Sequence, residues 1–186
     1  MDIVIETLAE HNLKNAPEWP RHPFSCKYCT YWEFPDDSPH ATERPREEIF
    51  ERKLGWLKKT RRNFGNCGKI LVIDGNGVGY AQYAHASSLP KCFDYSAGPT
   101  SDDAVFLSCL FISDQRFRRL GLGSMLLQNI CEELRERGIR AVETFARRTE
   151  VNNPSGPVEF YLESGFRTFR NTSEFPLMRL DLGRDV

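Results

Sequence analysis

The sequence carries almost no excess charge of either sign: 25 Lys and Arg residues against 26 Asp and Glu residues leave a net charge of -1 over 186 residues. A chain without a basic excess disfavours nucleic acid or anionic membrane as its main partner, because both are recognised largely through clustered positive charge. Long apolar runs are also lacking. No stretch approaches a membrane span, and the N-terminus, MDIVIETLAEHNLK, has acids where a secretion signal needs basic residues ahead of an unbroken apolar segment. A soluble, unprocessed protein is expected. Cysteine is sparse: there are six, and Cys67, Cys92, Cys109 and Cys131 are scattered, unlike the dense framework of a small secreted domain. A reducing cytoplasm is the expected setting. There is no evident internal repeat or low-complexity tract. What is present, 40% hydrophobic and 12% aromatic residues, suffices for one sizeable core and, at this length, not for two ordinary domains.

Residues 1–44 differ from the rest. They hold Pro17, Pro20, Pro23, Pro35 and Pro39, three of the four histidines, the Cys26 and Cys29 pair, and Trp19, Tyr28, Tyr31 and Trp32. The prolines prevent one long regular element, and the aromatics argue against a disordered tail, so the segment is expected to wrap the core. Residues 45–186 read as the domain proper. Pro45 suits the start of a helix that runs to about Asn63, with Glu47, Glu48 and Glu51 early and Lys58, Lys59, Arg61 and Arg62 late, as the helix dipole favours. KILVID and VGYAQY, joined through Gly75, Asn76 and Gly77, read as a hairpin. AVFLSCLFI, residues 104–112, is too uniformly apolar to face water on either side and belongs in the middle of a sheet. Leu126, Leu127, Ile130 and Leu134 then mark one face of a helix ended by Gly138. RAVETFA reads as a strand, VEFYLES as a short helix stopped by Gly165, and two further strand-like segments end in LMRLDL.

The turn between the apolar strand and the amphipathic helix is RRLGLGS: Arg118, Arg119, Leu120, Gly121, Leu122, Gly123 and Ser124. A helix N-terminus leaves amide N–H groups unpaired and carries partial positive charge, which makes it a seat for phosphate. Gly121 and Gly123 clear the approach to the backbone, and Arg118 and Arg119 can add charge-assisted hydrogen bonds. Two common pyrophosphate motifs fail on spacing. The glycine-lysine pair Gly68 and Lys69 is followed by Ile70 instead of Ser or Thr, and Leu126 stands where a dinucleotide fold needs its third glycine.

The remaining pattern, [QR]xxGx[GA], is filled by Arg118, Gly121 and Gly123, and here the sequence resembles the GNAT superfamily of acyl-CoA-dependent N-acyltransferases. The resemblance runs from about Lys69 to about Leu182 in the order hairpin, buried strand, glycine turn, long helix, strand, short helix, final strands; VGYAQY and FYLESGF look like the family's third strand and late motif. It implies a single α/β domain of the α+β type, with a mixed, mostly antiparallel sheet flanked by helices and here an N-terminal extension. It also implies transfer of an acyl group, acetyl above all, from coenzyme A to an amine by direct attack on the thioester, with acetyl-CoA as donor and no metal. In such proteins the end of the buried strand, here Leu110, Phe111 and Ile112, splays from its neighbour and offers backbone groups to the pantetheine arm. Tyr161 stands where similar proteins place the acid that protonates the coenzyme A sulfur; its alternative is packing with Phe160 and Phe166. Many members carry a basic carboxylate on the buried strand, but Leu107 and Ser108 stand there. Glu143 in AVETF is the substitute, with a solvent-facing or ion-paired strand acid as its alternative. Asn153 lies where members often contact the coenzyme, and Asn152 competes with it.

His22, Cys26, Cys29 and either His40 or Cys67 could in principle surround zinc, yet a lone CxxC without a second close-spaced pair favours simple packing of the cysteines. Arg147 and Arg148 read as a solvated edge or a phosphate contact. Two rivals to the enzyme remain: a coenzyme A-binding sensor that needs neither acid nor base, and a metal-organised interaction protein built on the CxxC segment. An exposed final strand would offer a surface for a homodimer. The acceptor amine, small molecule or protein, is not written in the sequence, because fold does not fix substrate.

Overall fold

The computed structural model describes residues 2–18, 25–36, 44–149 and 155–183. β2 (Gly68–Ile73) and β3 (Asn76–Ala84) form the expected hairpin, turned by Asp74 and Gly75, both in the left-handed region with φ of 47° and 81°. Two such residues match the right-handed twist of the flanking strands. β1 (Ile3–Thr7) adds to the expected order. It lies antiparallel along β2 with Ile3 opposite Ile73 and Thr7 opposite Lys69, so its place is fixed by a partner more than sixty residues away.

α1 (Arg46–Phe64) follows Pro45, has Glu47 and Glu48 in its first turn and Arg61 and Arg62 in its last, and ends at Gly65. Trp56 and Leu57 are buried in the core. β4 (Ala104–Ile112) is buried at every position, as its composition requires. A connection then leads into α2 (Leu122–Glu136), β5 (Ala141–Phe145), α3 (Val158–Glu163), β6 (Arg167–Arg170) and β7 (Leu177–Asp181). The seven strands lie in the order β1-β2-β3-β4-β5-β7-β6. Every neighbouring pair is antiparallel except β4 and β5, which are parallel and joined by the crossover through α2. This is the mixed, mostly antiparallel sheet flanked by helices that the sequence implies.

The last strand is not an edge. β7 enters between β5 and β6, so its ladder is occupied on both sides and it offers nothing to a second copy; the edges are β1 and β6. β6 is exposed along its length and carries Arg167 and Arg170, charges of the kind that resist edge-to-edge pairing.

Each face of the sheet has its own apolar layer. Leu122, Leu126, Ile130 and Leu134 of α2 pack with Val105, Leu107, Leu110 and Ile112 of β4. On the opposite face, Leu8, Leu13, Cys26 and Trp32 from the N-terminal segment join Trp56 and Leu57 of α1 over Tyr80, Phe106, Phe111 and Phe145. Trp32 stacks on Tyr95 at 5.2 Å and meets the edge of Phe106 at 5.0 Å. Burying side chains of this size is worth about 1.5–3 kcal/mol each, enough to hold a proline-rich segment on the domain.

Candidate active site

β4 and β5 part company. Their parallel ladder contains Ala104 opposite Ala141, Val105 opposite Val142 and Phe106 opposite Glu143, and there it stops, although β4 continues to Ile112 and β5 to Phe145. The cause lies on the other edge of β4. Gln82 of β3 pairs with Cys109 and Tyr83 with Leu107, which leaves Ser108 as an extra residue, a β-bulge. Bulges bend a strand and end its pairing. The Thr144 hydroxyl of β5 donates to Leu107 O at 2.8 Å and so ties the two strands together where the opening begins. Beyond it Leu110, Phe111 and Ile112 pair, among the described residues, only with Ala81, Tyr80 and Gly79 of β3.

The glycine turn closes the far end of this opening. Gly121 precedes α2 with φ 77°, a conformation costing about 1–2 kcal/mol for residues with a Cβ, and Arg119 is also left-handed at 58°. Met125 N donates to Gly121 O at 2.9 Å as the first intrahelical bond, so the amides of Leu122, Gly123 and Ser124 have no helical acceptor. Neither a side-chain cap nor an acid in the first turn competes for them. Arg119, Leu120, Gly121 and Ser124 are exposed. Arg118 turns inward, donating from Nε to Ile112 O at 3.1 Å, and thereby fixes the turn to the end of β4. A Cβ on Gly123 would meet Phe160 at 3.4 Å and Leu110 at 3.9 Å, so α2, α3 and β4 converge at this residue.

Tyr161 lies on α3. It is fully buried, packed against Phe160 at 5.1 Å and Phe166 at 5.2 Å, and its hydroxyl has no hydrogen-bond partner among the described residues. Burial raises its pKa, so the phenol is protonated at neutral pH; nearby Thr144 opposes that rise but makes no hydrogen bond of proper geometry with it. Its hydroxyl thus lies near Thr144, the residue that ties β5 to β4 where the two strands part.

Comparison with known proteins decides the family. The model of the Acetyltransferase (GNAT) family matches residues 18–166. The chain belongs to the GNAT acetyltransferase family. No curated protein sequence matches it significantly. Among solved structures, PaiA N-acetyltransferase from Thermoplasma acidophilum, in complex with coenzyme A, superposes with a TM-score of 0.61 at 14% identity, covering 97% of this chain and 99% of that one. An N-acetyltransferase from Staphylococcus aureus Mu50 gives 0.61 at 14% identity over 98% and 100%. The yncA putative acetyltransferase of Salmonella typhimurium, with its cofactor acetyl-CoA, gives 0.59 at 14% identity over 97% and 94%.

Within this GNAT fold the other expected residues have distinct fates. Glu143 is fully buried and engaged at both oxygens: Oε1 accepts from Arg179 Nη1 and Ser101 Oγ, each at 2.8 Å, and Oε2 accepts from Ser101 N at 2.8 Å. Both oxygens of the carboxylate are thus occupied, and Glu143 sits in a buried ion pair with Arg179, the alternative to a role as base. Arg179 also reaches Asp103 at 2.9 Å and Asp181 at 2.7 Å, which binds β7 to the loop before β4. Asn152 and Asn153 lie outside the described residues, as do His22 and His40. Arg148 donates to Asn171 and Thr172 O at the surface, and Arg147 lies 3.6 Å from Glu174.

The six cysteines are free, and among the described residues no group of His, Cys, Asp or Glu is arranged to hold a metal ion. The adjoining Cys109 thiol, with burial, raises the pKa of Cys26; burial above all, with the nearby Glu33 carboxylate adding to it, pushes Cys29 up to about 12. Sequence reasoning passes over the polar group around them, where Glu33, Lys53, Gln82 and Ser108 meet under the sheet. Its traces in the sequence are single polar letters inside apolar strands, Gln82 in VGYAQYA and Ser108 in AVFLSCLFI.

Proposed function

We propose that this GNAT protein is an N-acetyltransferase that passes an acetyl group from acetyl-CoA to a primary amine of a small molecule or protein, by direct attack on the thioester. The observation that carries the reading is the convergence of β4, α2 and α3 at Gly123, beside the splayed end of β4 and the uncapped N-terminus of α2, with Tyr161 of α3 carrying a hydroxyl unpartnered among the described residues. The amides of Leu122, Gly123 and Ser124, with Arg119 and the turn that Arg118 holds in place, would take the pyrophosphate, as helix N-termini favour anions. Leu120 and Gly121 shape the approach. The backbone of Leu110, Phe111 and Ile112 would pair with the pantetheine arm, and Tyr161 would donate its proton to the departing sulfur. Asn153 would be a further coenzyme contact. The coenzyme A bound to PaiA and the acetyl-CoA bound to yncA support the donor. Residues 1–44 with α1 would form the acceptor side and the rest of residues 45–186 the coenzyme side. A cytoplasmic setting suits the free thiols. A coenzyme A sensor would have no use for the buried hydroxyl of Tyr161, so the enzyme is favoured.

Calorimetric titration with acetyl-CoA tests the reading. Wild-type protein should bind at micromolar concentrations and Gly121→Val/Gly123→Val should not. Gly138→Val is the control: Gly138 has φ 75° and, like Gly121, nothing within 4 Å of an added Cβ, so its backbone strain is matched at a site far along the helix. Loss of binding in the control as well, or no binding by the wild type, would sink the assignment.

A further inference from the structure

One carboxylate on the face opposite α2 has no place in the scheme above. Glu33, from the described segment 25–36, has a side chain only 1% exposed. Its Oε1 accepts hydrogen bonds from Lys53 Nζ of α1 and, at 2.9 Å, from Gln82 Nε2 of β3, while Oε2 is buried without a hydrogen-bond partner among the described residues. Lys53, 3% exposed in its side chain, also donates to Cys29 O at 3.1 Å and so fixes the segment on α1. Tyr80 OH donates to Gln82 Oε1 at 2.8 Å, which obliges the amide nitrogen of Gln82 to face Glu33 and, 3.3 Å away, Ser108 Oγ. Ser108 is the bulge residue at which β4 leaves β5. The one acid with a bare oxygen in this cluster is therefore linked through a single amide to Ser108, where β4 and β5 part, on the side away from the helix proposed to hold the pyrophosphate. β4 itself contains no acid, and Glu143 is consumed by Arg179.

We infer that Glu33 is the general base: its Oε2 accepts the proton that the acceptor amine releases as the amine nitrogen bonds to the thioester carbonyl carbon. The inference rests on the acetyltransferase reading above. The carbon–sulfur bond breaks, its electron pair leaves on sulfur, and sulfur takes the hydroxyl proton of Tyr161. As the products leave, water entering the vacated opening takes the proton from Glu33 and supplies one to Tyr161, so amine and acetyl-CoA become amide and free coenzyme A thiol. Lys53 is a positioning residue. Its ammonium pairs with the carboxylate and occupies Oε1, which leaves Oε2 for the proton.

The test uses full-length protein, with water and ethylamine as the acceptors, and reads coenzyme A thiol release from acetyl-CoA beside calorimetric binding of acetyl-CoA. Glu33→Gln should bind acetyl-CoA within about twofold of wild type and release thiol at least about tenfold more slowly, the lower range expected for loss of a general base. Because Glu33→Gln leaves the Lys53 charge unpaired, Glu33→Gln/Lys53→Met is measured too; it buries no lone charge and should show the same split. Formate should restore part of the rate to Glu33→Ala by taking the vacated place. Equal thiol release by wild type and a folded Glu33 variant, whatever its value, would overturn the inference, and so would loss of acetyl-CoA binding in the double variant. Failure of the wild type to bind acetyl-CoA would instead bring down the reading beneath it.

Discussion

The ion pair between Glu143 and Arg179 predicts an asymmetry between its two halves. Glu143→Gln keeps an acceptor for Ser101 N, and Arg179 keeps Asp103 and Asp181, whose side chains are 38% and 54% exposed. The change removes charge from hydrogen bonds without stranding a group, so the cost should be about 1–2 kcal/mol. Arg179→Met is different. Glu143, fully buried, would retain only the two bonds from Ser101 and no counter-ion, and an uncompensated buried charge costs about 3–5 kcal/mol. Asp103 and Asp181 lose a partner but are hydrated, and add little. For a chain of this size each kcal/mol moves Tm by roughly 2–4 °C, so Arg179→Met should melt about 6–20 °C lower and Glu143→Gln about 2–8 °C lower. Urea unfolding followed by circular dichroism gives both values from the transition midpoint and slope. Equal losses in the two variants would refute the reasoning. A Glu143→Gln protein of wild-type stability that no longer releases thiol from acetyl-CoA would return Glu143 to the chemistry.

Tyr161→Phe should separate stability from turnover in the opposite way: removing a buried hydroxyl without a partner should leave the urea midpoint unchanged or raise it, while thiol release falls at least about tenfold, and a variant losing both would make Tyr161 a packing residue. Glu133 of α2 gives a pH prediction. Burial works to raise its pKa, but the hydrogen bond and charge of Lys69 and the hydroxyl of Tyr83 prevail and hold it below its ordinary 4.5. A lowered folded pKa means that the network's contribution is complete above about 4.5 and is lost as pH falls through the lower folded value. Glu133→Gln should therefore be less stable than wild type at pH 7 and approach it at pH 3 in urea titrations; a constant gap would contradict the sign.

The order of elements is legible because its signals are local. Asp74 and Gly75 set a tight hairpin by their own backbone preferences, nine buried residues in β4 can only be an inner strand, and the spacing of Leu126, Ile130 and Leu134 is a helical stripe. The glycine turn is legible for the same reason, since Gly121 is required by its own φ. Contacts made across the sheet are not legible in this way. IVIET becomes β1 only because β2 offers an edge, and the partner of Glu143 is on β7, brought opposite it by a register that no short window of sequence contains. Ser108 shows the boundary between the two cases. Its polarity is visible inside an apolar strand, yet that it is a bulge depends on which residues of β3 it faces. Glu33 is harder still, because its setting is assembled from the N-terminal segment, α1 and β3.

The bulge also says what kind of ligand the opening can accept. Alternate residues of a strand direct their N–H and C=O groups to opposite edges, so past Phe106 part of the backbone of β4 faces away from β3 and toward the side that β5 has left. Side chains repair the two ends of that stretch, Thr144 at Leu107 O and Arg118 at Ile112 O. The middle, from Ser108 to Phe111, is buried, and burying a backbone group without a partner is costly. A purely apolar tail lying there would leave those groups bare, whereas an extended chain with amides of its own can pair with them as a strand would. The pantetheine arm proposed for this place has that character, with a phosphate end directed to the bare amides of α2 and a thioester end directed to Ser108 and Glu33. In the proposed reading, the same inserted residue that ends the β4 and β5 ladder would set both the direction of the donor and the face from which an amine approaches it.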